Sequence, residues 1–127
     1  MTEKDIPRIT PQDIEDAIEY EAYFSASDGL LGNEFIQAHL EAKKNGEDCA
    51  FELGEEGEES GFFPLERLTF CVLVLKNGFT VHGHSACVSP KLYDYEIGKK
   101  IARQKAVDNL YQLLAFQLAT TLSNEQE

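Results

Sequence analysis

Residues 68–87, LTFCVLVLKNGFTVHGHSAC, constrain the fold more than any other stretch of the chain. Two runs rich in β-branched, apolar and aromatic residues flank an Asn77-Gly78 pair. Such a pair is a strong hairpin signal. A type I′ turn needs positive φ at both central residues, and Asn and Gly tolerate it best. A two-residue turn sets Lys76 opposite Phe79, Val74 opposite Val81 and Val72 opposite Gly83. Phe70, Val72, Val74, Phe79 and Val81 then share one face, and Cys71, Leu73, Leu75, Thr80, His82 and His84 the other. The first strand is apolar on both faces, which predicts cover on both sides. One hairpin alone is marginal and leaves two unpaired edges. Further strands are therefore expected from residues 47–66 or from a second copy of the chain, and with them a homo-oligomer.

Helix signals flank the hairpin. Thr10-Pro11-Gln12-Asp13 is a start signal, with Thr10 as cap, Pro11 in the first helical position and Asp13 at the positive helix end. Ile14 and Ile18 are spaced to share one buried face, which predicts an acidic helix running to about Tyr23. Asn33 to Lys44 reads as a short amphipathic helix with Phe35, Ile36, His39 and Leu40 inward. Residues 47–66 hold eight acidic and no basic residues, interspersed with Gly54, Gly57 and Gly61. That composition reads as a solvated, insertion-like loop. Ser89-Pro90 opens a turn, Asp94 is a cap, and a long helix is expected over Tyr95–Leu122. Its second half is apolar around much of its circumference, as in a helix buried against both a sheet and a partner helix. Residues 1–9 and 123–127 read as flexible tails. The expected fold class is α+β. A single domain holds an antiparallel hairpin sheet, packed by an N-terminal helix and a long C-terminal helix and completed by oligomerisation.

Composition narrows the function classes. A chain of 127 residues fits one domain. Its net charge of −12 disfavours general nucleic-acid binding, which works by displacing counterions from phosphates. The same charge suits solubility, a basic protein partner, or mimicry of a nucleic acid. No apolar run approaches the ~20 residues of a membrane span, and MTEKDIPRIT lacks a signal-peptide core. A cytoplasmic location is expected, with no membrane partner. Cys49, Cys71 and Cys87 form no CxxC pair and read as free thiols.

Four of the eleven basic residues, Lys99, Lys100, Arg103 and Lys105, fall within seven positions near the start of the long helix. Lys99 and Arg103 are one turn apart, and a helix start favours anions. Two readings are open: a site for a phosphate or carboxylate, or an exposed face paired with carboxylates such as Asp94, Glu96 and Asp108. His82 and His84, with Cys71 expected across from His84, have the donor types of a zinc set with an open position, but alternate histidines on a half-buried strand are common and the signal is weak. Cys87 and His84 fall on opposite faces of one strand, which disfavours a thiolate pair. No phosphate loop, dinucleotide fingerprint or HExxH is present, so no catalytic residue, metal ligand or cofactor is assigned.

Three segments carry a resemblance. They are Pro7–Glu15 with Tyr23-Phe24, Leu68–Val81, and Gly83, Ser85–Pro90 with Glu96–Arg103. Together they resemble a family of small tailed-phage proteins named for the gene 49 product of one podophage and the gene 66 product of another. That resemblance implies a phage accessory protein without an assigned activity, in the host cytoplasm. The layout is also similar to that of phage anti-Thoeris sponges, non-enzymatic oligomers that sequester cyclic nucleotide-derived signals. This second resemblance implies a nucleotide-type anionic ligand. Phe79 would stack on a base, and Lys99, Arg103 and Lys100 would hold phosphate oxygens. Ser89 and Asn77 would add polar contacts. The alternative is an acidic interaction protein that engages a basic host protein.

Overall fold

The computed structural model describes residues 7–47 and 63–125. In chain order the elements are α1 (Pro11–Ala17), β1 (Ile18–Ser25), α2 (Ala26–Asn45), a 3-10 turn (Phe63–Arg67), β2 (Leu68–Leu75), β3 (Thr80–Ala86) and α3 (Tyr95–Glu125). The strands form one antiparallel sheet in the order β1-β2-β3, so the fold class is α+β.

The Thr10 signal works as expected. The Thr10 hydroxyl accepts from the Asp13 amide at 3.1 Å, and the Asp13 carboxylate accepts from the Thr10 amide at 2.8 Å, closing a reciprocal capping box. This exchange also holds the Asp13 carboxyl below its ordinary range, first through the Thr10 backbone bond. The helix does not run to Tyr23, however. It stops at Ala17, and Ile18–Ser25 becomes the strand that the hairpin lacked. The third strand is thus neither a second copy nor part of 47–66, whose residues 48–62 lie outside the described residues. Ile18, Tyr20, Tyr23 and Phe24 have the branched and aromatic side chains that suit a strand, and β2 offers them an edge to pair with.

The hairpin forms, but with a different turn. The Leu75 amide donates to the Phe79 carbonyl and the Gly78 amide to the Leu75 carbonyl, both at 2.8 Å, which makes a three-residue loop. Only Gly78 has positive φ (88°), while Asn77 does not; its Oδ1 accepts from the Phe79 amide at 2.9 Å. This is the type I turn plus glycine bulge rather than type I′. The extra loop residue shifts β3 by one, so Leu73 pairs with Val81, Val72 with His82 and Cys71 with Gly83. A one-residue slip exchanges the faces of a strand. Cys71, Leu73, Leu75 and Val81 therefore share the buried face, and His82 and His84 join Phe70, Val72 and Val74 on the other.

α3 covers the first face. Ala102, Ala106 and Leu110 pack with Cys71, Leu73, Leu75, Val81 and Ile14 as the core. Asp94 accepts from the amides of Glu96 and Ile97 at 2.9 and 3.4 Å, capping α3 as expected. Gly98 lies against the buried Thr69, and Gly83 lets the backbones of β3 and α3 meet. The second face is covered only in part. Phe24 stacks on Phe70 at 5.5 Å, and Gly29 of α2 lies beside the Phe24 ring.

α2 is longer than expected and differently oriented. Ser25 caps it and Gly46 (φ 73°) ends it, with the Glu47 amide donating to the Ala42 carbonyl at 2.8 Å. Its buried residue is Ser27, whereas Phe35, Ile36 and Leu40 are 50–55% exposed and do not face inward.

Candidate functional site

The basic segment of α3 lies beside β1. Arg103 reaches across to two carboxylates on the preceding elements. Its Nε and Nη2 donate to Glu21 Oε1 at 2.9 and 2.7 Å, and Nη2 donates to both oxygens of Glu15 at 2.8 and 3.0 Å. Glu21 can point toward α3 because strand alternation sends Glu21, Tyr23 and Ser25 to one face. The Arg103 bonds pull the Glu21 carboxyl below its ordinary range. In return Glu21 first, then Glu15, fixes the charge on Arg103 by raising its pKa. Tyr23 donates to Glu21 Oε2 at 3.1 Å, and burial, then Cys71 and Glu21, push its phenol up. Burial also raises the Cys71 thiol.

Lys99 sits one turn before Arg103. Its ammonium lies 5.7 Å from the Tyr23 ring centre, 5.2 Å from the Tyr95 ring centre and 3.2 Å from Glu96. The two rings hold the cation by their negative faces while the carboxylate partly neutralises it. Lys100 and Lys105 are exposed. Of the two readings of the basic cluster, carboxylate pairing describes Arg103 and Lys99, although the Arg103 partners come from α1 and β1 rather than from α3. Nothing local in the sequence signals Glu15 and Glu21, which stand 88 and 82 positions away.

The other candidate residues fall in two places. Ser89 lies between β3 and α3, and its carbonyl accepts from the Cys87 thiol at 3.2 Å and the Leu92 amide at 3.3 Å. It shares the α3-start end of the sheet with Lys99 and Lys100. Phe79 and Asn77 are at the hairpin end, where Phe79 is 58% exposed. Gly98 packs on Thr69, six residues along β2 from Leu75, the partner of Phe79; that is about 20 Å of strand. Ser89, Lys99 and Lys100 thus lie toward the α3-start end of the sheet, Ser89 beyond β3 and Lys99 beside β1, Arg103 reaches Glu21 one turn further along, and Phe79 and Asn77 are at the opposite end.

The histidines are separated from the thiol expected beside them. Cys71 pairs with Gly83 and faces α3, whereas His84 pairs with Phe70 and lies 6.3 Å from its ring. Among the described residues no group of three or more His, Cys, Asp or Glu is arranged to hold a metal ion. A shallow cleft of about 370 Å³ opens between Pro7–Ile9 and Leu114, Gln117, Leu118 and Thr121 of α3. Among the described residues no helix is long and apolar enough to cross a membrane.

The most conspicuous surface was missed by sequence reasoning. α2 presents Phe35, Ile36 and Leu40 to solvent, with the Phe35 ring stacked on His39 at 6.4 Å. These were the residues expected to face inward. The available signal was the sparse apolar pattern of Ala26–Asn45, which includes Gly29 and Gly32 and builds no continuous core stripe.

No curated protein and no solved structure matches the chain. The model of the phage protein (N4 Gp49/phage Sf6 gene 66) family matches residues 9–122, nearly the whole described chain, and the protein belongs to that family.

Proposed function

We propose that this phage protein acts as an accessory factor by binding, and that its partner is a basic host protein seated on α2. One observation carries the reading. α2 has 20 residues, its buried residue is Ser27, and it holds Phe35, Ile36 and Leu40 half exposed. A helix face of this kind supplies the apolar centre of an interface, and the −12 charge supplies an acidic rim that attracts a basic partner and speeds encounter. The wild-type chain is expected to retain a host protein on a column, less so as salt rises. The variant Phe35→Ser/Ile36→Ser/Leu40→Ser should lose it with an unchanged circular dichroism spectrum. Equal retention by the variant would exclude α2 as the contact.

A nucleotide sponge is the second reading, favoured by the Lys99 ammonium between two tyrosine rings beside the exposed Lys100. Lys99, Lys100 and Arg103 hold phosphate oxygens, with Ser89 at the same end. Phe79 and Asn77 join that site only if a second copy brings its hairpin tip there. Calorimetry with cyclic dinucleotides, cyclic trinucleotides and cyclic ADP-ribose isomers tests it. Binding with intact release on heating, weakened in Arg103→Ala, supports a sponge; absence of heat across the panel eliminates it.

A further inference from the structure

The two edges of the sheet are not alike. In an antiparallel ladder the backbone groups of successive residues point alternately to one neighbouring strand and to the other. The Leu75 amide and carbonyl bond within the hairpin, and the Lys76 amide donates to the Ala17 carbonyl at 3.0 Å. Odd residues of β2 therefore serve β3 and even ones serve β1. Val74, Val72 and Phe70 bond to Tyr20, Ala22 and Phe24, their partners in register. That leaves the N–H and C=O of Glu21 and of Tyr23 pointing away from the sheet. Among the described residues no hydrogen bond reaches them. The same counting turns the His82 carbonyl outward on β3, and there Asn109 of α3 donates to it at 2.7 Å. One edge is thus capped by the chain's own helix, and the other is open. β1 also lacks the lysine and proline that blunt edge strands. The open run is bounded by the bulge between Ile18 and Tyr20 and by Ser25, which caps α2.

We infer that the β1 edge takes an extended basic segment of the partner as a fourth strand, hydrogen-bonded to the backbone of Glu21 and Tyr23. This rests on the reading that the partner is basic, and it adds a second contact to the one on α2. Charge selects the occupant. Residues 13–21 hold five acidic residues and no basic one, and Glu15, Asp16 and Glu19 are exposed. Arg103 and Lys99 approach from α3, but Glu15 and Glu21 take up the first and Glu96 the second. A second copy pairing here would bring two acidic stretches together, and like charges on paired strands repel. Strand alternation then gives the segment its pattern. Side chains on one side run along Tyr20, Ala22 and Phe24, an uncharged row in which Tyr20 is 64% exposed. Those on the other side run along Glu21 and Tyr23, with Glu15 joined to Glu21 through Arg103. The segment therefore alternates apolar residues with lysine or arginine.

The test titrates the full chain with a short capped peptide of alternating valine and lysine, read by calorimetry and amide hydrogen exchange. In the free chain the Glu21 and Tyr23 amides should exchange fast, whereas those of Ala22 and Phe24 are protected by β2. Peptide should slow the first pair. The same peptide with its amides N-methylated keeps its charge but has no main-chain donor, and should bind at least about 10-fold more weakly. Asp16→Lys/Glu19→Lys should also weaken binding about 10-fold, and because both sites are exposed its circular dichroism spectrum should match the wild type. Equal binding by the methylated peptide overturns the inference, as does absence of heat at about 1 mM peptide. Slow exchange of Glu21 and Tyr23 in the free chain means that the edge is already occupied, by a second copy or by the chain itself, and overturns it too. Phe35→Ser/Ile36→Ser/Leu40→Ser should bind the peptide as the wild type does. Loss of the peptide in that variant would move the contact to α2 and overturn the β1 edge, whereas its retention of a host protein judges α2 alone.

Discussion

Gly83→Ala should destabilise this protein although alanine suits a strand better than glycine. Gly83 does not have positive φ, so its backbone accommodates an alanine. With nothing in the way, the change would stabilise by about 0.4–1 kcal/mol through the unfolded chain. What stands in the way is α3. A Cβ on Gly83 would lie 2.8 Å from Lys105 Cβ and closer still to the Ala102 carbonyl oxygen and the Ala106 amide nitrogen. Carbon pairs rest near ~3.5–4.0 Å, so strand and helix would have to part by about 1 Å. A gap of ~0.5–1 Å forfeits a quarter to a half of each dispersion contact it opens. The contacts at stake belong to Cys71, Leu73, Ala102, Ala106 and Leu110, none of which has exposed surface. Helix backbone, unlike the tip of a side chain, cannot swing aside. The expected cost is about 3 kcal/mol, at the upper end for overpacking and a large share of the ~5–15 kcal/mol of a domain. Urea unfolding followed by circular dichroism should show the midpoint falling by about 1–2 M. An unchanged or raised midpoint would refute the close approach of α3 to β3.

Other perturbations separate the remaining links. Arg103→Met keeps the aliphatic stem but strands Glu15 and Glu21, and should cost about 1–2 kcal/mol in the same urea assay. The Glu21 pKa is depressed below its ordinary 4.5 first by the Arg103 bond, so its contribution is present above that value and lost as pH falls through the folded one. Wild-type stability should therefore fall more steeply than that of Arg103→Met below about pH 4.5; parallel curves would remove Arg103 as the cause. Gly78→Ala forces a side chain onto a backbone with φ of 88° and should cost about 1 kcal/mol, with no loss counting against the bulged turn. In a Cys49→Ser/Cys87→Ser background, Cys71 should react with a thiol reagent only as fast as the protein opens, because it is fully buried. Reaction at the rate of a free thiol would contradict its place under α3.

Local signals in the sequence were legible where one residue type decides the geometry. Thr10, Pro11 and Asp13 mark the start of α1, Asp94 the start of α3, and Asn77-Gly78 the hairpin. Misreadings arose where a distant partner decides. Ile14 and Ile18 satisfy helical spacing, yet Ile18 pairs with Leu75 and begins a strand. β1 lacks clean alternation because Glu21 faces α3, an orientation that makes sense only beside Arg103. The hairpin register turned on whether Asn77 or only Gly78 takes positive φ, a small energy difference that changes which side of β3 meets the core. Spacing alone joins Lys99 and Arg103, whereas Phe79 was added to them by the sponge-like layout, and about 20 Å of sheet within one chain separates its end from theirs.

The distribution of charge sets how a contact on α2 should respond to salt. Internal pairing takes Arg103 to Glu15 and Glu21 and brings Lys99 to Glu96, so the strongest basic cluster offers the exterior less positive charge than its sequence implies. The exterior that remains is dominated by carboxylates. The basic partner proposed for α2 would gain from that field and lose as ions screen it, while the apolar centre of the same contact would not weaken. Raising salt should therefore weaken retention on α2. Retention that holds or rises with salt would instead assign the contact to the apolar side chains Phe35, Ile36 and Leu40 alone and remove the acidic field from the reasoning.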